Sequence, residues 1–178
     1  MTDFNQILTP GDVNGGVVNT VIEIPAGSIL KIEYRRKQAT FEVDRVEPSI
    51  FAKPASYGFI PQTLDEDGDE LDMLVVCDES IPTGVHLQVR IIGIMNFEDD
   101  GEMDHKVIGV PADDRNTGDG IKTLADLGER WKQKVEYHFS HYKDLKKPGT
   151  TKVTGWGDIE AAKAIIFECI ERYKKTVR

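Results

Sequence analysis

The chain has 178 residues, 22 Lys and Arg against 31 Asp and Glu, a formal net charge of -9 at pH 7 and 39% hydrophobic residues. That length and composition suit a globular fold with a sizeable core, residues 1–178 reading as a single domain, and they exclude a disordered chain. The acidic balance argues against general nucleic-acid binding, and no apolar stretch reaches the length of a membrane span.

Residues 1–16, with Pro10-Gly11 and Gly15-Gly16, read as an irregular arm. No apolar run with basic flanks lies between Met1 and Asn14, so a cytoplasmic location is expected. Cys77 and Cys169 lack zinc-finger spacing and read as buried thiols of a reducing compartment. Val17 to Pro25 is predicted as a strand, stopped by its proline. Ile29 to Tyr34 alternates, with Lys31 and Glu33 on one face. The basic turn Arg35-Arg36-Lys37 joins it to a strand over Thr40 to Val46, giving a hairpin that brings Arg45 within reach of Lys31. Such a polar face is either a solvated ion pair or the cationic wall of an anion site. Glu47 to Pro61 reads as a long connection holding Tyr57.

Six of the eight residues from Asp65 to Asp72 are acidic, and they run straight into an apolar strand ending at Cys77. Two carboxylates about 5 Å apart repel by roughly 3 kcal/mol at an effective dielectric of about 20. Several together must splay into water, take up protons or bind a cation, and all-oxygen donors favour Mg²⁺, Mn²⁺ or Ca²⁺. An EF-hand is excluded by spacing: counted from Asp65, Glu70 stands where glycine is needed and Val76 where glutamate is needed. After a β-branched strand over His86 to Met95, the arrangement repeats. Glu98 to Lys106 forms a second acidic loop, and a strand follows over Val107 to Val110. Two such loops at the ends of neighbouring strands can supply ligands from two directions.

Asp113 to Gly120 reads as a polar loop. Leu124, Leu127, Trp131, Val135 and Phe139 then recur at helical spacing, predicting a helix from Leu124 to about Leu145, with Pro148-Gly149 beyond it. His138 and His141 have no partner at ligand spacing and read as packing or subunit-contact residues. Thr151 to Trp156 is a short extended piece, and Asp158 caps a final helix with an apolar stripe from Ile159 to Tyr173. Strands first and helices after give an α+β chain with a mostly antiparallel sheet or small barrel.

Asp67-Gly68-Asp69-Glu70-Leu71-Asp72-Met73 resembles the signature of the soluble inorganic pyrophosphatases of family I, in their shorter prokaryotic type. The likeness runs in order through Glu23-Ile24-Pro25, Lys31 with Glu33, Asp44-Arg45, Tyr57-Gly58, Asp99, Asp104 with Lys106, and Tyr142-Lys143. It implies a five-stranded OB-like β-barrel with two main helices of the C-terminal half packed outside. It implies Mg²⁺-dependent hydrolysis of pyrophosphate to two orthophosphates by metal-activated water, with several ions per site and Mn²⁺ as a substitute. Asp67, Asp72, Asp99 and Asp104 would hold metal, and Glu33 would assist through water. Asp69 would be the base. Lys31, Arg45, Tyr57, Lys106, Tyr142 and Lys143 would bind phosphate, with Glu23 as a supporting carboxylate behind them. A homohexamer is implied, with no nucleic-acid or membrane partner. Lys53 departs from the pattern, since many members carry tyrosine there.

Overall fold

The structure is a computed structural model and describes residues 3–176. In chain order its elements are α1 (Phe4–Ile7), β1 (Gly11–Asp12), β2 (Val17–Ile24), β3 (Leu30–Arg35), β4 (Thr40–Val46), β5 (Ser56–Phe59), β6 (Asp72–Val75), β7 (His86–Asp99), β8 (Glu102–Met103), β9 (Lys106–Pro111), α2 (Thr117–Gly120), α3 (Glu129–His141), β10 (Thr151–Gly157) and α4 (Ile159–Thr176).

Five strands close into a ring in the order β2, β5, β6, β9 and β7, with β7 returning to β2. Every pairing is antiparallel except β6 with β9. The long strand β7 makes closure possible. Its first half pairs with β2, from His86 to Arg90, and its second half with β10, from Ile94 to Asp99. The period of two sorts the side chains onto two faces. Met73 and Val75 join Val18, Ile22, Ile91 and Val107 in one apolar cluster, where α4 places Ala162, Ile166 and Cys169. Leu74 points the other way, into a cluster of Ile92, Met95, Phe97 and Ile108 that Val135 and Phe139 of α3 complete. β3 and β4 form a separate two-stranded hairpin. No helix among the described residues is long and apolar enough to cross a membrane.

The architecture matches the α+β barrel expected, with several local differences. Ser56–Phe59 is a ring strand, not part of a connection. Gly58 permits this, since a Cβ there would stand 1.9 Å from the Val21 carbonyl oxygen on β2. The arm is anchored: Phe4 packs edge-on against Tyr34, ring centroids 5.2 Å apart, and buried Asn5 accepts from the Gln62 amide at 2.6 Å. The second acidic stretch is a hairpin, β7 to β8, turning at Asp100 and Gly101. Lastly, Leu124–Leu127 is a 3₁₀ turn closed by a Thr123–Asp126 capping box, and α3 starts only after Gly128 at φ +77°. That positive φ suits glycine and breaks the helical path. Cys77, expected buried, is half-buried, while Cys169 is buried.

Candidate active site

The parallel pairing of β6 with β9 decides the site. Parallel strands enter the barrel from the same end, and here Asp72 is register partner of Lys106. The loop before β6 and the hairpin before β9 therefore open onto one rim. Strand β5 lies on the other side of β6 and pairs Tyr57 with Leu74. The β3–β4 hairpin faces them, with Lys31 opposite Arg45 in register. The last turn of α3 brings Tyr142, and Lys143 follows it.

These elements enclose a cavity of about 230 Å³. Its wall contains Glu23, Lys31, Glu33, Arg45, Tyr57, Asp67, Asp69, Asp72, Asp99, Asp104, Lys106, Tyr142 and Lys143, so all the residues named for the site from sequence converge. Within it Lys106 donates to both Asp72 and Asp104, and the Tyr57 hydroxyl also donates to Asp72. Lys143 binds Asp99 at 2.5 Å, and the Tyr142 hydroxyl donates to the same carboxylate at 3.2 Å. Lys31 pairs with Glu33 at 3.4 Å, and Arg35 reaches Glu33 at 2.7 Å. Arg45 turns toward Glu47 and Asp44, at 2.5 and 2.8 Å. The Glu23 carboxylate accepts from the Tyr34 amide at 2.7 Å, which ties β2 to β3.

Crowding shows in the ionisation of these groups. Burial pushes the Asp104 carboxyl up to about 7, with Lys106 pulling against it and Asp72 adding to it. Asp67 stays open to solvent at the rim, but the loss of hydration inside the cavity mouth still raises it to about 6, opposed by the Asp69 amide and reinforced by Asp72. Asp69, likewise exposed at the rim, is raised too, by partial loss of hydration and then by the charge of Glu70. Glu23 is pushed up to about 8, burial outweighing its bond from Tyr34. Burial works against the Lys106 ammonium, but Asp72 and Asp104 outweigh it and hold the proton more tightly than usual. Among the described residues no three His, Cys, Asp or Glu side chains stand close enough to share a metal ion. The ammonium of Lys106 is what joins Asp72 to Asp104. The donor set still fits a hard divalent cation: it is oxygen-only, and in Asp67 and Asp104 loss of hydration, reinforced by the charge of Asp72, disfavours the ionised form that a bound cation would favour.

Sequence reasoning left out Tyr34, Arg35, Phe59, Glu70 and Phe139, which also line the cavity, as does Lys53, singled out in the sequence only as a departure from the family pattern. Glu70 lies inside the acidic signature. It is held by Arg36 at 2.8 Å and by Asn5 at 2.6 Å, links too distant in sequence to read from a pattern. Phe139 belonged to the helical stripe and gave no separate signal. Lys53 lies over the faces of Tyr57, Phe139 and Tyr142, at 4.8, 5.3 and 5.3 Å from their ring centroids. Of the two histidines, His138 is buried beside Phe139 and stacked on Tyr142, and His141 stacks on Tyr137. Neither lines the cavity.

A closed five-stranded barrel whose rim gathers aspartates with lysines defines a class: α+β proteins with an OB-like fold and a site built for a polyanion and cations together. The model of the family described as inorganic pyrophosphatase matches residues 20–174. The inorganic pyrophosphatase of Neisseria meningitidis serogroup B is 64% identical, over 98% of this chain and 99% of its own length. That of Thermus thermophilus is 44% identical, over 94% and 96%. The crystal structure of an inorganic pyrophosphatase from Neisseria gonorrhoeae superposes with a TM-score of 0.95 at 63% identity, covering 97% of this chain and 99% of that one. This chain belongs to the inorganic pyrophosphatase family. It is accordingly an inorganic diphosphatase, a hydrolase.

Proposed function

We propose that the chain hydrolyses inorganic pyrophosphate to two orthophosphates with Mg²⁺ as the working ion, Mn²⁺ substituting. The observation that carries this reading is the convergence of five aspartates and four lysines on one cavity. Neither set alone suits a pyrophosphate: the lysines would bind it without activating water, and the aspartates would repel it. Divalent ions, when bound, neutralise both the carboxylates and the substrate and acidify a coordinated water. Asp67, Asp72 and Asp104 would hold such ions, with Asp99 beyond Lys143 and Glu33 acting through water.

The chain's own groups supply the rest. A carboxylate oxygen of Asp69 accepts the proton of the attacking water. Its raised affinity for protons, from partial loss of hydration and from Glu70, makes it a better base than a free aspartate. Lys31, Arg45 and Lys143 donate to the phosphoryl oxygens, and the hydroxyls of Tyr57 and Tyr142 donate beside them. Lys106 serves the same anion, and Lys53 adds a further cation. These donors stabilise charge on the leaving phosphate as it develops. Glu23 supports the site from behind by holding the Tyr34 amide and with it the strand that carries Lys31 and Glu33.

The reading extends to one domain, a cytoplasmic setting and a homohexamer, all by likeness to the prokaryotic members. The test is phosphate release from pyrophosphate, ATP and a phosphomonoester, with Mg²⁺ and then with EDTA. Asp69→Asn should keep metal binding and lose turnover by orders of magnitude. Near wild-type turnover in that variant would remove Asp69 from the role of base.

A further inference from the structure

The loop that carries Asp67 and Asp69 is anchored by buried residues at both ends, Leu71 on one side and Asp65 on the other. Glu66 to Asp69 are exposed, whereas Asp65 is only 3% exposed. Its backbone closes the loop, donating to the Asp69 carbonyl at 2.8 Å and accepting from the Gly68 amide at 3.3 Å. Its carboxylate does something else. One oxygen accepts from the His105 amide at 3.1 Å, and His105 is the residue between Asp104 and Lys106. The other oxygen accepts from the Glu66 amide at 2.9 Å and faces the α4 side chains Cys169 and Arg172 at 3.7 and 3.6 Å. The same helix holds Leu64: the Cys169 carbonyl accepts from its amide at 3.1 Å, and Arg172 donates to its carbonyl at 2.6 Å.

We infer that Asp65 is a positioning residue, which fixes the spacing between the Asp67–Asp69 loop and Asp104 by bracing both against α4. The inference rests on the reading above that Asp67, Asp72 and Asp104 hold metal. The site draws its carboxylates from two chain segments about 40 residues apart, counted from Asp65 to His105. Strand pairing sets Asp72 against Lys106, but it begins only at Asp72, and Leu71 before it is bonded to Ile60 and Thr63 of its own segment, not to the second. Asp65 is the side chain whose carboxylate reaches from the first segment to the backbone of the second. Partners standing behind metal-binding carboxylates typically contribute about 10- to 100-fold in metal affinity or activity.

The experiment compares Asp65→Ser and Asp65→Asn with the full-length wild type. Mn²⁺ binding is measured by electron paramagnetic resonance, together with kcat and KM for pyrophosphate and the exchange rate of the His105 amide. Asp65→Ser is too short to reach His105 and keeps the site polar. It should weaken Mn²⁺ binding and lower kcat by about 10- to 100-fold, leave KM nearly unchanged and speed His105 exchange. Asp65→Asn keeps one amide oxygen for the His105 N–H but turns a donor toward the Glu66 amide and Arg172, so it should restore part of the Mn²⁺ binding that Asp65→Ser loses. If Asp65→Ser folds poorly but its folded fraction binds Mn²⁺ like wild type, the residue only stabilises, and the inference fails. It fails also if Asp65→Asn is as impaired as Asp65→Ser. Asp67→Asn serves as the control: unchanged Mn²⁺ binding there would overturn the metal-site reading itself, a result distinct from either failure.

Discussion

Lys53→Met removes one of the four lysines of the cavity wall. The wild-type ammonium sits over three aromatic faces, and no carboxylate pairs with it among the described residues. Burial, and then the charges of Lys31 and Lys106, lower its pKa to about 7; Asp72 and Glu47 pull weakly the other way. A pKa of about 7 makes it about nine-tenths charged at pH 6 and about one-tenth charged at pH 8. A hydrogen bond from a charged donor is worth about 1.5–3 kcal/mol. At pH 6 the variant should therefore raise KM for pyrophosphate by about 10- to 150-fold. The sign follows from the protonated form being the one that binds. As pH rises from 6 to 8 the wild type loses that form and Lys53→Met has none to lose, so the ratio of their KM values should shrink about five- to ninefold. Initial rates at fixed free Mg²⁺ across that range measure it, and the titration of the substrate cancels in the ratio. A ratio that stays flat, or grows with pH, would refute the assignment of Lys53 to substrate binding.

Lys106→Met removes the ammonium shared by Asp72 and Asp104. Breaking such a buried pair costs about 3–5 kcal/mol, on the order of a 10 °C drop in Tm for a chain of this size; calorimetry should also show Mg²⁺ restoring more stability to the variant than it adds to the wild type. His138 is 7% exposed, and burial, followed by the charges of Lys53 and Lys134, lowers its pKa to about 3. The unfolded chain therefore binds the extra proton between about pH 6.5 and 3, and stability falls by about 1.4 kcal/mol per pH unit through that window as the solution is acidified. Urea unfolding at pH 6.5, 5.5 and 4.5 should show a shallower loss for His138→Leu; equal slopes would contradict the neutral, buried histidine.

The barrel was legible wherever a strand alternated or ran apolar between turn residues, as from Val17 to Ile24 and from His86 onward. Ser56–Phe59 was not legible, because all four residues are buried and so show no alternation, and Pro54, Gly58 and Pro61 look like loop residues. Gly58 is a strand residue for a reason that only the partner strand reveals, the carbonyl of Val21 against its α-carbon. The start of α3 was misread because a 3₁₀ turn repeats its faces at three residues, so Leu124 and Leu127 imitate one turn of an α-helix. The four-residue helix α1 is too short to carry a periodic pattern, and its order comes from Tyr34, Phe41 and Phe59 far along the chain.

The acidic segments stood out in the sequence because carboxylates beside apolar strands conflict locally with the need to be solvated, whereas the full set of candidate residues came from the family resemblance. What the pattern left open was how two acidic segments meet. In an antiparallel β6–β9 pair, the loop before β6 and the hairpin before β9 would lie at opposite ends of the barrel, roughly the length of a four-residue strand apart, about 13 Å. Parallel pairing places both at one end and sets Asp72 against Lys106. It also explains why a lysine stands among aspartates. Every ring strand but β6 and β9 can be closed by antiparallel neighbours, and where these two run together their entry residues share one patch of rim. A cation at the first residue of β9 offsets the charge at the first residue of β6. Reversing Lys106 to glutamate would therefore oppose Asp72 and Asp104 at once, and the protein should then fold only with divalent ions present. Native-like circular dichroism of that variant in EDTA would show that rim charge does not govern folding here.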